Sequence, residues 1–186
     1  MICSYPLVLG KNRIHGCGQC LSCRVNQSRK WSTRISLEAA VSDEVYFLTL
    51  TYDDEHNPGK LLKSDVQKFL KRLRKKFSFR YYACGEYGEQ FGRPHYHILV
   101  FFRFHSGVHS TDFLDPMALE SSVRKAWHFG FTQCDVTKSN AVHRYVSKYV
   151  TKKATKEWDQ EDPEWHLASK HPGLGADAVE GSQMIP

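Results

Sequence analysis

One stretch constrains the fold of this chain more than any other: Gly92-Arg93-Pro94-His95-Tyr96-His97-Ile98-Leu99-Val100-Phe101-Phe102. A turn closes on glycine and proline, and an apolar, partly β-branched and aromatic run follows, which reads as a strand. Residues i and i+2 of a strand point to the same face. His95 and His97 therefore set two imidazoles on one side of a sheet, about 7 Å apart along the backbone. Tyr96 and Ile98 face the other side. Imidazoles so placed are near enough to converge on one metal ion.

The neighbouring segments supply the sheet. Glu44 to Tyr52 is a second strand-forming run, Val45-Tyr46-Phe47-Leu48-Thr49-Leu50-Thr51-Tyr52 at its heart. A polar loop follows; its Gly59-Lys60 lacks the upstream glycine and the following Ser/Thr of a P-loop, so no ATPase is implied. Ser64 can cap a helix reaching about Phe77, in which Val66, Phe69, Leu70, Leu73 and Phe77 make one apolar stripe. Phe79 to Glu86 predicts a strand antiparallel to His95–Arg103, joined to it by a hairpin loop. Asp115 and Pro116 open a helix ending near Trp127. Phe131 to Thr137 predicts a further strand, and Asn140 caps a helix reaching about Lys153. The order is βαββαβ followed by a helix: an α+β, ferredoxin-like split βαβ with an antiparallel central sheet and helices on one face. On this reading residues 1–40 form a cysteine-rich segment and a basic helix, 41–153 the core, and 154–186 a C-terminal tail. Trp158 and Trp165 argue against full disorder in that tail.

A net charge of +6 and a pI near 9.0 favour a polyanionic partner such as nucleic acid. No run of 18 apolar residues exists and no signal pattern opens the chain, so no membrane partner and a cytoplasmic location are expected. The predicted helix over residues 21–40 places Leu21, Val25, Ile35 and Ala39 on one face, with Trp31 beside it. Arg24, Arg29, Lys30 and Arg34 make much of the remainder basic, either as a solvated face or as an arm touching phosphates. Arg93, in the loop before the histidines, is a further candidate DNA contact.

Four of the six cysteines, Cys3, Cys17, Cys20 and Cys23, crowd into the first 23 residues. In an intracellular chain such clustering reads as metal binding before disulfides. A four-cysteine structural Zn²⁺ site would tie the N-terminus to the following helix, with His15 as a substitute ligand. An iron–sulfur cluster and free thiols are the alternatives.

Glu86, at the end of the strand paired with His95–Arg103, can add a carboxylate to the two imidazoles; Glu89, deeper in the loop, is the rival. Such a donor set suits Mg²⁺, Mn²⁺ or Zn²⁺ and leaves positions open for a phosphate oxygen. In Tyr145-Val146-Ser147-Lys148-Tyr149 the tyrosines stand one helical turn apart on one face. A phenol is a poor nucleophile at neutral pH, but a nearby cation favours its phenolate. Attack on a phosphodiester would leave a 5′-phosphotyrosine and a free 3′-OH. The bland alternative is that these tyrosines pack in the core.

His95-Tyr96-His97, the upstream Phe47-Leu48-Thr49-Leu50-Thr51 and the downstream Tyr145-Val146-Ser147-Lys148-Tyr149 resemble the three motifs of HUH endonucleases, the rolling-circle replication initiators. Cys17-Gly18-Gln19-Cys20-Leu21-Ser22-Cys23-Arg24, Leu50-Thr51-Tyr52-Asp53-Asp54 and Pro172-Gly173-Leu174-Gly175 are similar to the gokushovirus-type initiators of microviruses. The resemblance implies a site-specific, metal-dependent nickase acting on a single-stranded DNA origin in the host bacterial cytoplasm. His95, His97 and a carboxylate would hold Mg²⁺ or Mn²⁺, and Tyr145 would be the nucleophile with Lys148 assisting. Tyr149 would be the second nucleophile. No helicase motif is present, so a host helicase and polymerase are the implied partners. The competing readings are a related single-strand transposase and a non-catalytic nucleic-acid-binding module stacking bases on Tyr81, Tyr82, Phe101 and Phe102.

Overall fold

A computed structural model describes residues 2–10, 13–88, 91–104, 115–137 and 165–182. The expected helix over 140–153 lies outside the described residues. Two short strands, β1 (Leu7–Leu9) and β2 (Arg13–His15), precede a long helix, α1 (Leu21–Ala40). Then come β3 (Glu44–Tyr52), α2 (Lys63–Leu73), β4 (Arg80–Tyr87), β5 (Pro94–Phe102), α3 (Pro116–Ala126) and β6 (Gly130–Val136). Strand β7 (His166–Ala168) and helix α4 (Ala176–Ser182) complete the described elements.

The sheet runs β6-β3-β5-β4-β7, every neighbour antiparallel, with the histidine strand β5 at its centre. The expected α+β class and the βαββαβ order hold. β7 extends the sheet beyond β4, and Trp165 just before it packs against the core, so this part of the tail joins the domain.

One face of the sheet is the main core. Tyr46, Leu48, Leu50 and Tyr52 of β3 and Tyr96, Ile98, Val100 and Phe102 of β5 meet Val66, Phe69, Leu70 and Leu73 of α2 and Leu119, Val123 and Ala126 of α3. Ser64 does not cap α2: Leu62 holds the N-cap position and Ser64 lies in the first turn. The start is set from outside the helix, because the Leu61 and Leu62 amides donate to the hydroxyls of Tyr87 and Tyr96 at 3.1 and 2.8 Å. Asp65 in that turn accepts from the Tyr52 hydroxyl at 2.9 Å.

The opposite face is covered by α1. Ile35 and Ala39 pack with Val45, Phe47, Tyr82, Cys84, Leu99, Phe101 and Leu174. This buried stripe differs from the expected one. Leu21 is exposed, while Ser28 and Glu38 are buried. The Glu38 carboxylate is tolerated there because Arg80 Nε lies 2.8 Å away and Arg103 Nη2 2.6 Å away. The Gly175 amide also donates to it at 2.7 Å. Arg103 in turn pairs with Asp177 of α4. The same packing removes the stacking platform of the binding-module reading: Tyr82, Phe101 and Phe102 are buried, and Tyr81 packs against the core.

Candidate metal and nucleic-acid site

The apolar patch under α1 stops at Phe47, Cys84 and Leu99. Beyond it the same face turns polar. Register sets Thr49 opposite His97 and Thr51 opposite His95 on one side of β5, and Cys84 opposite His97 and Glu86 opposite His95 on the other. Paired residues of an antiparallel ladder share a face, so these side chains gather there.

Both imidazoles are oriented through Nδ1. His95 Nδ1 lies 2.9 Å from the Thr51 hydroxyl and His97 Nδ1 3.3 Å from that of Thr49. With Nδ1–H donated to a hydroxyl, the lone pair sits on Nε2, the atom left to bind a metal. His97 is buried and its ring stacks on Phe47, centroids 5.4 Å apart and planes 11° from parallel. Its Nε2 meets Glu86 Oε1 at 3.0 Å. Burial and the neighbouring His97 charge hold His95 below the ordinary imidazole value of 6.5, which keeps the ring neutral at neutral pH.

The residues fit a small divalent cation. Two cis ligands, each about 2.1 Å from one ion, stand about 3 Å apart, which is the His97–Glu86 separation. Space at His95 Nε2 depends on Gly88, where a Cβ would lie 2.7 Å from that nitrogen. The three donor atoms are not all within 4.8 Å of one another, a span that the sulfurs of Cys3, Cys17, Cys20 and Cys23 do meet. Those four cysteines are therefore a group that could hold a metal ion; His15 is not among them.

A family model for replication-associated proteins of the ORF2 type matches residues 45–154. The chain belongs to this family. Replication-associated protein VP4 of Bdellovibrio phage phiMH2K is 33% identical over 165 residues, covering 81% of this chain and 51% of that protein. Replication-associated protein ORF2 of Spiroplasma virus 4 is 33% identical over 156 residues, covering 74% and 48%. Replication-associated protein ORF4 of Chlamydia phage 1 is 29% identical over 151 residues, covering 74% and 38%. The chain thus spans about half the length, or less, of these curated relatives.

Within this member of the replication-associated protein family, Tyr145, Lys148, Tyr149 and Glu89 lie outside the described residues. Arg29 and Lys30 are exposed on α1, and Arg24 is half-buried. Arg93 ties two loops together: Nη1 donates to the Tyr52 carbonyl at 3.1 Å and Nη2 meets Asp54 at 2.5 Å. Among the described residues no helix is long and apolar enough to cross a membrane.

Two groups of residues gain a role that sequence reasoning missed. Thr49 and Thr51 orient the histidines, and the signal was present in Leu48-Thr49-Leu50-Thr51: period two puts both hydroxyls on the face opposite the leucines. Phe131 stands opposite Thr51 on the far side from His95, so it shares the histidine face, and it is 68% exposed. An exposed aromatic on an edge strand has no sequence signature that separates it from a core residue.

Proposed function

We propose that this chain is a site-specific, metal-dependent single-stranded DNA endonuclease that initiates rolling-circle replication. The observation that carries this reading is the pair of imidazoles whose Nδ1 atoms are engaged by Thr49 and Thr51, leaving both Nε2 atoms as donors beside Glu86. His95, His97 and Glu86 would hold Mg²⁺ or Mn²⁺, and the bound ion would polarise the scissile phosphate. The Tyr145 phenol is the nucleophile. Its oxygen bonds to phosphorus, the P–O3′ bond breaks, the phenolic proton is lost and the departing 3′ oxygen takes one up. A 5′-phosphotyrosine and a 3′-OH result. The Lys148 ammonium offsets charge at the phosphate. Tyr149, one turn on, serves a second cleavage while the first tyrosine is still linked. Attack by a 3′-OH on the phosphotyrosine reverses the step and seals the strand. The protein works in the host bacterial cytoplasm on an origin of single-stranded DNA, with a host helicase and polymerase supplying unwinding and synthesis.

The test is incubation with origin single-stranded DNA and Mn²⁺, resolved on a denaturing gel. A covalent protein–DNA band is expected, lost with EDTA and with Tyr145→Phe combined with Tyr149→Phe. An adduct that persists in the double variant overturns the nucleophile assignment. Absence of cleavage on every single-stranded substrate overturns the enzyme reading in favour of a binding module.

A further inference from the structure

Residues 2–20 pose a problem of cohesion. None of their described side chains is buried, and Ile2, Tyr5, Val8 and Ile14 are 93, 74, 68 and 73% exposed. Hydrophobic burial does not hold such a segment, and segments of this size are ordinarily fixed by disulfides or metals. All six cysteines of the chain are free thiols. What does converge in this segment is sulfur.

We infer that Cys3, Cys17, Cys20 and Cys23 form a closed tetrathiolate Zn²⁺ site, separate from the histidine site, and that this ion is the organising centre of the N-terminal segment. The β1–β2 hairpin pairs Leu7 with His15 and so returns the chain until Cys3 reaches Cys17. The Cys3 and Cys20 sulfurs are 3.8 Å apart. That is the edge, about 3.8 Å, of a tetrahedron whose corners lie about 2.3 Å from a central zinc; a disulfide would need about 2.05 Å. Backbone amides already serve the sulfurs: Cys17 N–H donates to Cys3 Sγ and Cys20 N–H to Cys17 Sγ, both at 3.3 Å. Such bonds favour the thiolate form.

Glycines make the room. Gly18 adopts φ +79°, which lets the chain turn between Cys17 and Cys20, and a Cβ at Gly16 would lie 2.9 Å from Cys23 Sγ. Cys20 is the N-cap of α1 with no side-chain capping bond, so its sulfur is left for another partner. Cys23 follows in the first turn, where the helix N-terminus favours negative charge. Four soft thiolates select zinc or an iron–sulfur cluster. Sulfurs all within 4.8 Å suit a single ion, because a cluster places several iron and sulfide atoms between its cysteines.

The experiment is elemental analysis of the full chain purified without chelator. About one zinc per chain is expected, with His15→Ala retaining it and Cys20→Ser combined with Cys23→Ser losing it. Hydrogen exchange should show residues 2–20 losing protection on zinc removal while β3 and β5 keep theirs. Zinc well below half an equivalent, iron with a visible charge-transfer spectrum, or an unchanged zinc content in the double cysteine variant would overturn the site. Should that variant fail to fold, Co²⁺ added to zinc-stripped wild-type protein decides instead: a tetrahedral thiolate spectrum supports the site, and any other spectrum overturns it.

Discussion

The second face of the sheet is two surfaces on the same strands. At one end Val45, Phe47, Tyr82, Leu99 and Phe101 lie sealed beneath α1. Two residues further along β3 and β5 the face carries Thr49, Thr51, His95 and His97, with Glu86 beside them. The backbone is the same at both ends; only the chemistry of alternate residues changes. The seam is the stack of Phe47 on His97, where the last core ring braces the first candidate ligand. A rigid apolar floor next to a polar end is what allows imidazoles to be held in one orientation before anything binds.

The two ends should therefore fail differently. His95→Gln with His97→Gln should lower strand cleavage on the order of 10³-fold, the scale for losing electrostatic stabilisation of a reacting phosphate. Denaturant unfolding of the same variant should stay near wild type, and its zinc content should not change. If cleavage survives within about tenfold, the polar end is not the reaction site.

At the sealed end the large effect is on stability. Glu38→Ala leaves Arg80 and Arg103 facing each other without their shared carboxylate and frees the Gly175 amide. Removing one partner of a buried ion pair costs about 3–5 kcal/mol. Urea denaturation should show that loss, while the fraction still folded continues to cleave. An unfolding midpoint equal to wild type would mean that Glu38 is not the clasp joining α1 to residues 172–177.

Thr49→Val and Thr51→Val probe the polar end more gently. Each removes the hydroxyl facing a histidine Nδ1 and keeps the branched shape of the strand residue. Hydrogen-bond partners of metal-ligating histidines are commonly worth about 10–100-fold in affinity or activity, so the Mn²⁺ concentration for half-maximal cleavage should rise by that factor. Thr→Ser at the same positions restores the oxygen and should restore the response. A rise that serine does not reverse would assign the effect to packing.

How much of this was legible in the sequence follows from how local each signal is. β3 spans the expected 44–52, and β4, β5 and β6 fall within about a residue of expectation, because period-two patterning and turn residues are read from neighbours in the chain. The histidine pair and Glu86 were legible for the same reason: one strand, one hairpin, one register. The buried face of α1 was not, because Glu38 is stable in a core only through Arg80, Arg103 and Gly175, none of them near it in sequence. The start of α2 is fixed by hydroxyls of β4 and β5, which made Ser64 a misleading cap. Tyr82, Phe101 and Phe102 read equally well as exposed or buried until α1 and α3 were placed over them.

Phe131 sharpens the comparison furthest, since it asks whether the polar end extends across the sheet to its edge. Across Thr51 it lies two strand spacings from His95, about 10 Å, a distance that adjoining nucleotides can bridge. It is 68% exposed, so its removal costs the fold little. Stacking of one base on an aromatic ring is worth about 1–3 kcal/mol. Phe131→Ala should therefore weaken binding of origin single-stranded DNA by about tenfold or more in fluorescence anisotropy, and Phe131→Trp should restore it. Val136 is the control: it is on the same strand and 64% exposed, but its register with Tyr46 puts it on the opposite face. Val136→Ala should leave binding as it was. Equal losses from the two variants would mean that DNA grips the strand edge, not the histidine face; a loss confined to Phe131 places the strand's path over Thr51 toward His95.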